Sequence, residues 1–235
     1  MRKFLIAAVA ALTVIGMVSV ATAQTPGADL DVKVTPSDAG TKKKPKNSSL
    51  ALEIVNGDTT RTMNRLTVTL PSTVKLSAKG LTKCSEDTLE ASGPKECPRA
   101  SRLGKGLATA KLGVNTDAPQ DLTFDVTPVI LGPKKLGFYL AARELPVNVL
   151  APGRISGRKL IIDVPQTAQQ PAPGTWAGLV SLEAKLGKKK GKNYLISSTG
   201  CKSRKHKVKA TLTFVDNGVS EAGNVNTSTT SKCKK

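Results

Sequence analysis

What most narrows the folding of this chain is an alternation of apolar and polar residues with a period of two, renewed many times after residue 28. ADLDVKVTP puts Leu30, Val32 and Val34 on one side and Asp29, Asp31 and Lys33 on the other. Successive side chains of a strand point to opposite faces, so the pattern marks a strand with one face buried. SLALEIVN, NRLTVTLP, TVKLSA, LATAKLGV, DLTFDVTPVIL, KLGFYLAAR, VNVLAPG, GRISGRKLIIDVP, GLVSLEAKLG, NYLISSTG and HKVKATLTFVDNG continue the series. They recur roughly every ten to fifteen residues, with Gly, Pro, Asn or Lys-rich turns between them. Pro71 closes one segment, and the alternation of Leu122, Phe124 and Val126 runs as far as Pro128.

No amphipathic helix of ordinary length interrupts this series, and Glu86 to Ala91 offers one helical turn. The expectation is an all-β protein, an antiparallel β-sandwich of immunoglobulin-like layering, because alternation implies one buried face per sheet. The Cys-Trp-Cys arrangement of antibody domains is absent, so the likeness concerns architecture. Aromatic residues make up 3% of the chain, which leaves the core to Val, Leu, Ile and Ala.

The N-terminus reads MRKFLIAAVAALTVIGMVSVATAQ. Arg2 and Lys3 precede an uncharged apolar run, and Ala21-Thr22-Ala23 supplies the small residues of a cleavage site before Gln24. Residues 1–23 therefore read as a signal peptide and 24–235 as one β-sandwich domain. A retained anchor is the rival reading, but the run is at the short edge of the roughly 17–25 residues that span a bilayer. The expected location is secreted, extracellular or in the cell envelope. QTAQQPAPG, residues 166–174, reads as a long surface loop between similar strands. SEAGNVNTSTTSKCKK has the composition of a disordered tail, pinned by Cys233.

Four cysteines in an exported chain imply two disulfides, with three connectivities open. Cys84–Cys97 and Cys201–Cys233 close the shortest loops, each between a strand end and a polar turn. Zinc is the competing use, but no C-x2-C pair exists and the lone His206 has no second ligand near it in sequence.

Several short motifs together resemble a group of secreted, β-rich actinobacterial proteins of the Solirubrobacter type. They are LP at 70–71, Cys84, the CPxxSxxGxG pattern of 97–106, IDVPQ at 162–166, YLISSTGC at 194–201 and the near-terminal Cys233. The resemblance implies export, two bridges and a β-rich fold, and carries no activity with it. It also implies an aromatic residue soon after the third cysteine. KSRKHKVK stands there in this chain, so no role of that aromatic transfers.

Catalytic chemistry finds little support in the residues. A hydrolase needs a base beside its nucleophile, and the lone His206 sits among cations on what reads as a solvent-facing strand position. No GxSxG elbow is present. Asp125, Glu144, Asp163 and Glu183 are the candidate carboxylates for glycoside hydrolysis, without the aromatic platforms that sugars stack on. Asp29 and Asp31 lack the rest of a calcium loop. Gly104-Lys105-Gly106 lacks the phosphate-loop pattern around it. No cofactor or metal site is read.

Charge is the strong chemical signal: 36 Lys and Arg against 17 Asp and Glu, for a formal +19. It is concentrated in Lys42–Lys46, Lys185–Lys192 and Lys202–Lys209. The polyanion-binding candidates are Lys42, Lys43, Lys44, Lys188, Lys189, Lys190, Lys192, Lys202, Arg204, Lys205 and Lys207. Such charge attracts anionic wall polymers or acidic polysaccharide, or simply keeps sheet edges soluble and unpaired. Specific nucleic-acid recognition is opposed by export and by the scarcity of stacking aromatics. The expected function is a non-catalytic secreted or envelope-associated binding protein; an exported hydrolase with an unrecognised site is the alternative.

Overall fold

The computed structural model describes residues 27–234, so the expected signal peptide lies outside the described residues. The chain opens with β1 (Ala28–Thr35), β2 (Lys46–Asn56), β3 (Thr62–Thr69) and the short β4 (Val74–Leu76). After a loop carrying helix α1 (Glu86–Ser92) come β5 (Gly106–Leu112), β6 (Gln120–Ile130), β7 (Lys135–Ala142), β8 (Asn148–Ser156) and β9 (Lys159–Asp163). Helix α2 (Gln166–Gln169) precedes β10 (Ala177–Leu186), and a small hairpin of β11 (Lys189–Lys190) and β12 (Asn193–Tyr194) precedes β13 (Ile196–Ser198). β14 (Lys205–Val215) and β15 (Gly223–Lys232) complete the fold.

This is the antiparallel β-sandwich that the alternation implies. β1 buries every second residue along its whole length, as does the first half of β14. The layers belong to one 13-stranded sheet of order β15-β14-β3-β9-β8-β7-β6-β5-β10-β2-β13-β4, with β1 beside β2. An immunoglobulin domain divides fewer strands between two separate sheets. Here the sheet rolls over through β8, β7 and β6, so that β1 lies across β14 and β15 and β10 approaches β3. The Val34 amide donates to Ser231 Oγ at 3.0 Å, tying the two layers together.

The β8–β9 pairing departs from the local sequence pattern. VNVLAPG and GRISGRKLIIDVP read as separate segments, yet β8 runs straight through Pro152 and Gly153, and the turn falls at Gly157-Arg158. Gly153 is there for space, since a Cβ would stand 2.7 Å from the Phe138 ring on the neighbouring strand. β6 likewise continues through Pro128 to Ile130. The terminal segment is a ten-residue strand, β15, rather than a pinned loose tail. Residues 166–174 form α2 and a turn between strands of the same sheet.

Both expected disulfides are formed, Cys84–Cys97 and Cys201–Cys233, with Cα separations of 5.3 and 5.8 Å. The first closes the α1 loop, and Ser85 caps that helix by accepting from the Thr88 amide at 3.1 Å. The loop covers the outer face of β6–β8, where Leu89, Cys84, Cys97 and Val129 form a second apolar cluster. Tyr139, Leu131 and Leu150 pack against it. The middle of the roll is therefore apolar on both faces.

Candidate functional site

The ladder registers sort the loops into two ends. Leu186 lies opposite Leu50, Thr35 opposite Ser49, Lys205 opposite Lys232 and Lys209 opposite Thr69. Lys42–Lys46, Lys188–Lys192 and Lys202–Lys205 therefore all fall at one end of the strands, although they are distant in sequence. Lys42 and Lys202 line one shallow depression together with Thr73 and Gly200. Lys185, Lys188 and Lys189 border another, beside Ser48 and Ser49. No carboxylate interrupts residues 187–204. Both disulfides are at this end as well, since the Cys84 amide donates to Ile130 O at 2.8 Å and the Cys233 amide to Arg204 O at 3.0 Å.

Most of the expected polyanion-binding cations are exposed here: Lys42, Lys43, Lys44, Lys189, Lys190, Lys192, Lys202, Arg204, Lys205 and Lys207. Lys188 differs. It is half-buried, and its Nζ donates to the carbonyls of Arg99 and Arg102 at 3.2 and 3.1 Å. Its ammonium fastens the turn that follows Cys97. Lys207 and Lys209 continue the positive charge along the outward face of β14.

The catalytic candidates are dispersed. His206 is not solvent-facing: it is 1% exposed, on the inward face of β14 with Val208 and Ala210. The flanking lysines suggested exposure, whereas strand parity turns this ring inward. Its Nδ1 is 3.2 Å from Thr73 Oγ1, and burial holds its pKa below the ordinary histidine value. Asp125 is bound by Arg143, whose hydrogen bond at 2.6 Å lowers the carboxyl pKa. Glu144 accepts from the Thr123 amide at 2.9 Å, which lowers its pKa. Asp163 accepts from both Arg65 and Arg154 at 2.5 Å.

Glu183 stands opposite Glu53, which stands opposite Asp31. The three carboxylates cross an outward sheet face with Lys33, Lys105 and Lys185 around them. All three are exposed on this open face, with no cleft between them to hold a sugar across a pair of carboxyls. Asp29 and Asp31 occupy β1 rather than a calcium loop. Gly104 and Gly106 serve packing, because a Cβ would meet Lys185 O at 2.0 Å or Glu183 O at 2.2 Å. They let β5 lie close against β10.

The opposite end of the strands holds a feature that the sequence did not announce, an apolar cavity of about 170 Å³. Seven strands adjacent in the sheet, β3-β9-β8-β7-β6-β5-β10, curve around it. α2 touches β3 and β10, where the roll has no hydrogen-bonded closure. Phe124, Phe138, Leu140, Val149, Leu179 and Leu182 form much of the wall. Ala108, Ala110 and Ala151 are inward positions whose small size leaves the space open. The signal in the sequence was this run of small residues on neighbouring strands.

The chain matches no protein-family model, no curated protein and no solved structure. Among the described residues, no helix is long and apolar enough to cross a membrane.

Proposed function

We propose that this is an exported, non-catalytic binding protein that attaches through its basic end to anionic polymers of the cell surface. The observation that carries the reading is the meeting of three lysine-rich segments at one end of the sandwich. Converging cations focus a field on one face, which concentrates and steers a polyanion. Export is supported by the leader-like residues 1–23, by the resemblance to secreted actinobacterial proteins and by the two disulfides, which persist in oxidising compartments. A non-catalytic role is supported by the dispersal of the carboxylates and by the burial of His206 away from them.

The test is a salt titration of binding to heparin or a teichoic-acid-like polymer. Displaced counterions make log affinity fall linearly with log salt, at about −0.9 per phosphate on duplex DNA. With five lysines engaged, a fourfold rise in salt weakens binding roughly 500-fold. Replacing Lys42, Lys43, Lys189, Lys190 and Lys192 with glutamine flattens the slope and leaves the fold unchanged. Lys188 stays in place, because its loss would disturb the turn at Arg99 and Arg102. Affinity indifferent to salt, or unchanged in the glutamine variant, rejects the proposal.

A further inference from the structure

A packed core leaves few voids larger than a water molecule. The cavity at the non-basic end is much larger, and it reaches the surface. Leu145 and Val147, in the turn between β7 and β8, line it and are each 40% exposed. On the other side of the mouth stand Pro165, Thr167, Ala168 and Pro171, from α2 and its flanks.

Polar groups are almost absent from the wall, and the one amide there is already used: Gln169 Nε2 donates to Val164 O at 2.7 Å. A water inside needs two to four polar partners, and apolar cavities of about 150 Å³ stay dry and admit benzene. The space therefore suits hydrocarbon. Its size excludes a bulky ring system, while the open mouth lets a longer molecule leave its remainder in solvent.

The charges beside the mouth narrow the class further. Arg143 is held by Asp125 at 2.6 Å and Lys111 by Asp121 at 2.8 Å. Asp117 and Glu144 occupy the neighbouring loops. A carboxylate or phosphate head would meet carboxylates and engaged cations.

We propose that this cavity binds the hydrocarbon chain of a single-chain lipid with an uncharged head, the chain inside and the head at the mouth between Leu145 and α2. This goes beyond polymer binding at the basic end and does not depend on it.

The experiment titrates the protein with a homologous series of 1-monoacylglycerols below their aggregation limits, in high salt that suppresses polyanion binding. Trp176, the lone tryptophan, directly precedes the lining residues Ala177 and Gly178 and serves as the fluorescent reporter, with calorimetry beside it. Affinity is expected to rise about fourfold per added methylene and to level off once the chain fills the cavity. Ala110→Phe fills the space and should weaken binding at least tenfold. Leu145→Glu, at an exposed rim position that folding does not need, should do the same.

The matching fatty acids form the second arm, where weaker binding at equal chain length is expected. No saturable binding, affinity indifferent to chain length, or wild-type binding by Leu145→Glu would overturn the proposal. Fatty acids binding as tightly as monoacylglycerols would overturn the uncharged head.

Discussion

Consider removing each disulfide separately, as Cys84→Ala with Cys97→Ala, and as Cys201→Ala with Cys233→Ala. Alanine is preferred to serine because all four positions are buried, and a buried hydroxyl without a partner carries its own penalty. The bridges span 13 and 32 residues. Cross-linking restricts the unfolded chain by an amount that grows with the logarithm of the loop, giving about 2.9 kcal/mol for the first and about 3.7 kcal/mol for the second. The native contacts keep this comparison clean. The α1 loop remains docked through fully buried Leu89, and β15 remains paired along β14. Urea unfolding followed by Trp176 fluorescence gives both free energies by linear extrapolation. The larger loss is expected for the Cys201/Cys233 variant. A loss below about 1 kcal/mol for either variant, or the reverse order, would refute the view that these bridges act mainly through the unfolded chain.

Two further outcomes follow from buried and strained groups. Burial disfavours the charged form of His206, so its folded pKa lies below the unfolded value of about 6.5. The unfolded chain then binds more protons, and the stability this histidine contributes is complete above pH ~6.5 and declines as pH falls toward the folded pKa. His206→Gln should narrow the loss of stability between pH 7.5 and 5; an equal loss in both proteins contradicts this. Ser203 and Arg204 turn the chain with φ of 56° and 55°, closed by the Lys205 amide on Lys202 O at 3.2 Å. Such a turn favours Asn-Gly, so Ser203→Asn with Arg204→Gly should raise unfolding stability by about 1 kcal/mol, and no gain would disprove the strain.

The fold was legible wherever inward positions were apolar. β1, β2 and β10 follow directly from Leu30, Val32, Leu50, Leu52, Ile54 and Leu186. β15 escaped because Val225 is its only apolar inward residue, the other buried positions being Ser231 and, just beyond the strand, Cys233. Its threonines suit a strand, but its polarity resembles a tail. Composition misled again at His206, where parity with Val208, Ala210 and Leu212 was the better guide. The basic end needed registers, since nothing local in sequence says which loops share an end. The cavity lay deeper still: alternation tells which side chains point inward, not whether they meet. Ala108 and Ala110 read as ordinary strand residues until the opposite wall is known.

Both covalent bridges sit at the same end of the strands, the end that carries the lysines. Opening of a folded protein begins where contacts are sparse and cross-links absent. The breathing of this molecule is thereby expected to be directed: amides around residues 113–119, 143–147 and 166–176 should exchange with solvent before those beside the bridges, and equal exchange at both ends would refute this. The second and third of these loops border the cavity mouth. A lipid held as proposed would come and go on fluctuations that leave the lysine-rich end undisturbed.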